Sequence, residues 1–180
     1  MTKEDLISCS SPHEYIFFWG HHSAPNVVTK ACFSQWYPCK FGVDGQIYSS
    51  TEQYMMAEKA RLMGDTEIRE QILATDDPRE IKKLGRMVRD FDARLWDMKK
   101  SQVVVNGNLH KFGQNPKLRD FLLSTGDKVL VEASPYDKIW GIGLDANNPD
   151  ACDPKLWKGE NLLGFALMEV RGLLREKETM

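Results

Sequence analysis

Helical signals dominate the sequence from residue 49 to residue 124, and the clear strand signals lie outside this stretch. S-x-x-E and S-x-x-Q patterns at Ser49 and Ser50 are typical of helix starts, because each partner satisfies an otherwise unpaired backbone N–H group. Asp77-Pro78 begins a further helix, with a capping carboxylate followed by a proline in the first turn. The predicted strands and helices show no βαβ alternation, so the sequence predicts an α+β fold.

Three short segments predict the β structure. EYIFFWG (14–20) and KVLVEAS (128–134) are rich in apolar, β-branched or aromatic residues, as is typical of buried strands. Asp44-Gly45 lies between apolar flanks in residues 40–48 and favours a hairpin, since both residues tolerate the positive φ that a tight turn needs. We therefore expect a mostly helical single domain packed around a small β-sheet.

The remaining segments suggest the domain limits. A helix over 92–112 is expected to be interrupted near Asn106-Gly107, because glycine weakens a helix interior by about 1 kcal/mol. Residues 136–154 are polar and rich in Gly and Pro, which predicts a long loop of the kind that often carries function. The last helix, within 159–176, has one apolar stripe. The expected organisation is an N-terminal lead-in at 1–12, one domain at 13–176 and a C-terminal tail at 177–180.

Composition narrows the class of partner. Lys and Arg number 24 and Asp and Glu 26, and this net charge of −2 argues against bulk binding of duplex nucleic acid or anionic membranes. No stretch has the roughly 20 apolar residues of a membrane helix, and the N-terminus lacks a signal pattern, so we expect an intracellular, cytoplasmic protein. The four cysteines form no C-x-x-C pair and the four histidines no H-E-x-x-H pattern, which predicts reduced thiols and no metal site.

Glu52 and Lys59 are the first candidates for chemistry. Their separation of seven residues places both side chains on one face of the predicted helix, roughly 10 Å apart along its axis. Apolar neighbours would desolvate Lys59, lower its pKa and make the amine nucleophilic. In the alternative interpretation, Glu52 only completes a capping box and Lys59 is a solvated surface charge.

The loop after the strand at 128–134 contains a second set of candidates. Gly141 and Gly143 would let backbone amides approach a phosphate or sugar, and Trp140 offers a plane for stacking on a base. Asp137 is a candidate acid/base or acceptor of ribose hydroxyls, and its alternative role is to cap a turn. A glycine-rich turn anchored by one core tryptophan would explain the same pattern.

Three further residues allow two interpretations each. Trp96 lies on a predicted helix, where core packing is the simpler role. Asn161 stands at the start of the last helix, where helix capping is favoured by propensity. Arg86 could meet a phosphate, although exposed arginines usually meet water or a nearby carboxylate.

Eight segments, taken in order, resemble the NADAR family, also called YbiA-like N-glycosidases. The resemblance runs from about Ile16 to Leu174. It is carried by FFW, FSQWYPCKF, YSSTEQYMMAEKA, KKLGRMV, LWDMK, HKFGQNPKLRDFLLSTG, LVEASPYDKIWGIG and WKGENLLGFALMEVR. Each segment is weak alone, whereas eight in the right order form a specific signal.

The resemblance implies an N-glycosidase that hydrolyses the bond between ribose C1 and an exocyclic amine of a base. One branch of the family removes ADP-ribose from guanine in nucleic acid, and another acts on phosphoribosylamino-pyrimidine intermediates of riboflavin biosynthesis. We expect the first substrate, in DNA or RNA, with the second a close alternative. No cofactor, membrane or obligate protein partner is implied. The alternative classes are a module that binds ADP-ribose or NAD without cleaving it, and a small helical interaction domain.

The resemblance also implies roles for individual residues. The expected catalytic residues are Glu52, Lys59 and Asp137, and the expected substrate-binding residues are Ser34, Arg86, Trp96, Trp140, Gly141, Gly143 and Asn161. Glu52 would stabilise positive charge at C1 or activate water, while Lys59 would donate a proton or form a Schiff base. One departure concerns Gln35, which stands where the family usually has Asn, so ligand contacts there would shift by a methylene.

Overall fold

The computed structural model describes residues 1–178, which contain seven α-helices and four short β-strands. In chain order these are α1 (Lys3–Ser8), β1 (Tyr15–Phe18), β2 (Phe41–Val43), β3 (Gln46–Tyr48), α2 (Thr51–Leu62), α3 (Thr66–Leu73), α4 (Pro78–Arg86), α5 (Ala93–Gln114), α6 (Pro116–Ser124), β4 (Val129–Glu132) and α7 (Leu162–Glu178). The predicted α+β class, with helices predominating, is confirmed. None of the described helices is both long and apolar enough to cross a membrane.

The chain divides into two compact units, one of which is discontinuous in sequence. Unit 1 consists of residues 1–34 and 117–178, and unit 2 consists of residues 35–116. Unit 1 contains the parallel pair β1–β4, and unit 2 contains the antiparallel pair β2–β3. The small β component of the fold is therefore two separate two-stranded sheets.

Unit 1 is built on the parallel pair, with Phe18 of β1 in register with Glu132 of β4. The predicted apolar stripe of the last helix is buried, and α7 packs on β4 through it. The lead-in at 1–12 contains α1, because Thr2 and Asp5 form a reciprocal capping box and Leu6 is buried.

Unit 2 is a helical cluster in which α2 packs against α3, α4 and α5. The Asp44-Gly45 hairpin is confirmed, since both residues have positive φ between β2 and β3. The expected interruption at Gly107 is wrong, because α5 is continuous from end to end. A Cβ at Gly107 would lie 2.6 Å from Cδ1 of Tyr54, so the glycine permits close packing of α5 on α2.

Two other segments differ from the sequence expectations. The separate helix α3 was not anticipated, although Asp65 caps it through the N–H of Ile68. The long loop at 136–154 contains one 3₁₀ turn at Pro149–Cys152 and the start of another at Pro154–Leu156. In the expected tail, residues 177 and 178 belong to α7, and residues 179–180 lie outside the described residues.

Candidate active site

The first turn of α2 positions Glu52, and two capping hydrogen bonds that share Gln53 fix that turn. The hydroxyl of Ser50 accepts the N–H of Gln53 at 3.1 Å, while Oε1 of Gln53 accepts the N–H of Ser49 at 2.8 Å. Glu52 is 5% exposed although it is a carboxylic acid. The capped first turn therefore holds this buried carboxyl group at the N-terminal end of α2, where the helix dipole is positive.

Gln35 anchors the same turn, a role that the sequence analysis missed. Its carbonyl oxygen accepts the N–H of Glu52 at 2.9 Å and the hydroxyl of Thr51 at 3.3 Å. Its side-chain Oε1 accepts an N–H of the fully buried Asn108 at 2.9 Å. Because Asn108 is 73 residues away in sequence, no local pattern could have revealed this buried pair.

Lys59 lies half-buried two turns further along α2. Its Nζ donates a hydrogen bond to the carbonyl oxygen of Gly85 at 2.7 Å and lies 4.6 Å from the centroid of the Phe91 ring. Burial lowers the pKa of Lys59, the positive charge of Arg86 lowers it further, and Glu52 opposes both effects. Lys59 is therefore not a fully solvated surface charge, and unit 2 couples Glu52, Lys59 and Arg86 electrostatically.

The backbone that surrounds Lys59 is held by two close contacts. A Cβ at Gly85 would lie 2.0 Å from Sδ of Met56, so a side chain at Gly85 would force either Met56 or α4 to move. Asp65 accepts the backbone N–H of Arg89 at 2.8 Å and its guanidinium at 2.7 Å. Since Phe91 follows Arg89 by two residues, this ion pair fixes the segment that carries the ring over Lys59.

Two other predicted binding residues of unit 2 are less enclosed. Trp96 is half-buried in the first turns of α5, where its backbone N–H donates to the carbonyl of Asp92. Arg86 is exposed at the end of α4. Their roles as substrate contacts remain predictions.

In unit 1, Asp137 organises the loop that follows β4. One oxygen of its carboxylate accepts the N–H groups of Ile139 at 2.9 Å and Trp140 at 2.8 Å. The hydroxyl of Ser134 accepts the N–H groups of Tyr136 and Asp137. Asp137 therefore caps a turn, as the alternative interpretation expected. Its catalytic role remains a prediction.

The loop at 138–143 also caps α7. The N–H groups of residues 160–163 donate to the carbonyl oxygens of Lys138, Gly141, Ile139 and Trp140, in that order along the helix start. These backbone groups satisfy donors that a side-chain cap would otherwise have to satisfy. The N–H of Gly143 donates to the carbonyl of Asp137 at 3.1 Å. In the folded loop this N–H is therefore already engaged, whereas the sequence analysis expected it to face a phosphate or sugar.

Gly141 and Asn161 fix the loop against β4. A Cβ at Gly141 would lie 2.8 Å from the carbonyl oxygen of Glu132, which leaves no room for a side chain. The fully buried Asn161 donates through Nδ2 to the carbonyl of Leu130 at 3.0 Å and accepts the N–H of Glu132 at 2.9 Å. Its side chain thus holds a strand rather than capping α7, and its contact with substrate remains a prediction.

Ser34 is the remaining predicted binding residue. It ends the 3₁₀ turn at Lys30–Phe33, where its N–H donates to the carbonyl of Ala31. Eight of the ten predicted site residues form two structured groups, and Ser34 and Trp96 belong to neither. Glu52, Lys59 and Arg86 lie together in unit 2, whereas Asp137, Trp140, Gly141, Gly143 and Asn161 lie together in unit 1.

A cavity of about 330 Å³ lies elsewhere in unit 1 and contains none of the predicted site residues. Its wall includes Cys9, His13 and Tyr15 from the N-terminal region and Cys152 and Lys155 from the 3₁₀ turns. Burial, followed by the nearby Cys152 and Asp153, raises the pKa of Tyr15. The position of this cavity therefore does not support a substrate site at Glu52 or at Asp137.

Comparison with known proteins decides the family. The model of the NADAR domain matches residues 17–175, which include every predicted site residue. The chain belongs to the NADAR domain family. The predicted domain limits of 13–176 are close to this match and remain a prediction.

Individual NADAR proteins resemble the chain over most of its length. An N-glycosidase of Acanthamoeba polyphaga mimivirus is 45% identical over 163 residues, covering 88% of this chain and 95% of the viral protein. The NMR structure of the Escherichia coli protein YbiA has a TM-score of 0.75 and 28% identity, covering 96% of this chain and 92% of the other. A riboflavin biosynthesis protein of Vibrio vulnificus is 32% identical over 143 residues, which span 79% of this chain and 35% of that protein. The family thus includes N-glycosidases, hydrolases that act on N-glycosyl bonds.

Proposed function

We propose that this protein hydrolyses the C–N bond between ribose C1 and an exocyclic amine of a base, and that its substrate is ADP-ribosylated guanine in nucleic acid. The observation that carries the proposal is the buried Glu52 carboxylate, which is coupled to a half-buried Lys59 amine of lowered pKa. Sequence similarity to proteins named N-glycosidase supports the reaction class. The name of the Vibrio relative favours phosphoribosylamino-pyrimidines as the second candidate substrate.

The reaction needs a negative group near C1 and a proton for the leaving amine. As the C–N bond breaks, its electron pair moves to nitrogen and positive charge develops on C1 and the ring oxygen. Glu52 would stabilise that charge and accept a proton from the water whose oxygen bonds to C1. Lys59 would deliver a proton or hydrogen bond to the amine. Alternatively, its neutral amine would attack C1 of the ring-opened sugar and expel the amine of the base, and water would then hydrolyse the resulting Schiff base and free Lys59.

The roles of the unit 1 residues follow from their chemistry. Asp137 already accepts two backbone N–H groups, so it is proposed to hold ribose hydroxyls and assist proton transfer from a fixed loop. Trp140, Trp96, Ser34, Arg86, Gly141, Gly143 and Asn161 are proposed to bind or shape the substrate site. No metal or redox cofactor is needed for these steps.

A product assay tests the proposal. Wild type, Glu52→Gln and Glu58→Gln are incubated separately with a guanine-linked ADP-ribosylated oligonucleotide and with the phosphoribosylamino-pyrimidine. Glu58 is a matched control because it lies on the same helix and is paired with the exposed Arg61 at 2.9 Å. Released ADP-ribose or ribose 5-phosphate is measured by mass spectrometry.

We expect release of ADP-ribose by wild type and Glu58→Gln, with a loss of about 100-fold or more in Glu52→Gln. Release from the pyrimidine alone would retain the reaction and overturn the substrate. No release from either compound, with ADP-ribose still raising the melting temperature, would identify a reader module and overturn the enzymatic proposal.

A further inference from the structure

Two aromatic side chains of unit 1 meet at the protein surface beyond the ends of the parallel strands. Trp19 is 53% exposed and Tyr136 is 84% exposed, yet their ring centroids lie 5.8 Å apart. Single exposed apolar residues are common on soluble proteins, whereas two large rings in contact form a patch that favours a binding role. Neither residue has a part in the hydrolysis mechanism described above.

The strand pairing brings these rings together. Phe18 and Glu132 are in register, and the N–H of Ala133 donates to the carbonyl of Phe18 at 2.9 Å, so the chain leaves both strands at the same edge. Trp19 follows β1 directly. Tyr136 follows β4 in a turn that is tied down by the buried hydroxyl of Ser134. Both rings are therefore displayed on fixed backbone, which lowers the entropy lost when they bind a partner.

The ring geometry suits successive bases better than one enclosed base. The two planes are inclined at 58°, so the rings cannot sandwich a single flat group between parallel faces. Each ring can instead offer a face to a different base, as aromatic side chains do in proteins that bind single strands. Exposed His22 and Lys138 follow the two rings in sequence and supply groups suited to phosphates.

We infer that Trp19 and Tyr136 form a stacking site for nucleobases that flank the modified base in a single-stranded nucleic acid. The inference rests on the proposed function, and it extends the substrate beyond the ribosylated base to its neighbours. Asp137, which immediately follows Tyr136, connects this platform to the loop proposed to hold ribose. A polynucleotide would gain affinity from the platform that a free phosphoribosyl compound cannot gain.

Direct binding tests the platform without requiring catalysis. Fluorescence anisotropy is measured with a labelled, unmodified single-stranded DNA carrying one guanine, and with the same strand made abasic at the positions flanking that guanine. The proteins are wild type, Trp19→Ala, Tyr136→Ala, Trp19→Phe and Tyr136→Phe. Leu156→Ala, which removes another half-exposed apolar side chain of unit 1, is the matched control. Circular dichroism confirms that each variant is folded.

We expect each alanine variant to bind the intact strand about tenfold or more weakly than wild type, and the phenylalanine variants and Leu156→Ala to keep most of the affinity. On the abasic strand the alanine substitutions should make little further difference. Equal binding of the intact strand by wild type and alanine variants, or no binding by wild type, would overturn the inference. So would an equal loss of affinity for free ADP-ribose, which would assign the rings to adenine. The product assay on the ADP-ribosylated oligonucleotide judges the proposed function separately, because unmodified DNA contains no bond to be cleaved.

Discussion

The amine of Lys59 donates a 2.7 Å hydrogen bond to the carbonyl oxygen of Gly85. Gly85 has no room for a side chain, because a Cβ there would collide with Met56 of α2. Three effects meet at the contact between Lys59 and Gly85. It desolvates the amine, directs it toward α4 and leaves it beside the ring of Phe91. The environment of Lys59 therefore depends on the backbone of a glycine in a different helix.

Replacement of Gly85 by alanine should destabilise the protein despite the higher helix propensity of alanine. The added methyl would meet Sδ of Met56 at 2.0 Å and its Cγ at 2.9 Å. Overpacking of this kind costs about 1–3 kcal/mol, against a propensity gain of about 1 kcal/mol. Chemical denaturation should report the loss. In a cycle with Met56→Ala the two changes should be clearly non-additive, and strict additivity would contradict the proposed contact.

Lys59 should react with acylating reagents at a lower pH than an ordinary lysine. Burial and Arg86 lower its pKa, so the neutral amine becomes populated below the usual value of about 10.4. Competitive labelling followed by mass spectrometry measures this inflection at Lys59, with the exposed Lys83 as an internal reference. Arg86→Gln should move the inflection to higher pH, because a repelling charge is removed. An unshifted inflection at Lys59 would contradict the role of burial.

The same amine allows the two proposed chemical roles to be separated. A Schiff-base nucleophile must be neutral, so the rate would rise as pH approaches the pKa of Lys59, and borohydride would trap a substrate adduct on that residue. A proton donor must be charged, so the rate would fall across the same range. Trapped mass on Lys59, absent in Lys59→Met, would establish the nucleophile. A falling rate without trapped mass would establish the donor.

Loss of the Asn161 amide should destabilise unit 1. The side chain pairs with both Leu130 and Glu132 while fully buried, and its removal leaves the carbonyl of Leu130 without this donor. We expect Asn161→Ala to lower the free energy of unfolding by about 1–3 kcal/mol. Asn161→Asp should be worse, because a carboxylate oxygen would face that carbonyl. Asn147→Ala, at an exposed position, is the control. An equal effect at both positions would contradict the stabilising role of the Asn161 hydrogen bonds to β4.

Asp65 should make stability depend on pH in the acid range. Hydrogen bonds from the guanidinium and backbone of Arg89 hold the pKa of this carboxyl well below its usual value. The stabilisation is therefore complete above the pKa of an unfolded aspartate, about 3.9, and is lost as pH falls further. Asp65→Asn should lower the melting temperature at pH 7, and the difference from wild type should shrink under acid conditions.

Asp97→Asn serves as the control for this measurement, because the exposed Asp97 carboxylate pairs with Lys100 on the same helix. A small change in melting temperature is expected there, because ion pairs of this kind contribute little. If the effect of Asp65→Asn on the melting temperature were the same at pH 7 and under acid conditions, the acid-sensitive contribution of the Asp65–Arg89 pair would be contradicted.

Local features of this protein were predictable from local sequence. The Asp44-Gly45 hairpin, the capped starts of α2 and α4, and the apolar stripe of α7 each involve residues a few positions apart, so composition and spacing contain the required information. Prediction from local sequence failed at Gly107 in α5. Propensity predicted an interruption, whereas packing against Tyr54 from another helix favours glycine without breaking α5.

The candidate site divides in the same way. Sequence patterns were enough to predict the fold class, the placement of Glu52 and Lys59 on one helix, and the family to which the chain belongs. The folded structure was needed to show that Lys59 is half-buried and donates to Gly85, which is 26 residues away, and that Asn161 holds a strand 31 residues away. The physical reason is that pKa and hydrogen-bond partners depend on burial among residues distant in sequence, and burial exists only once the chain has folded.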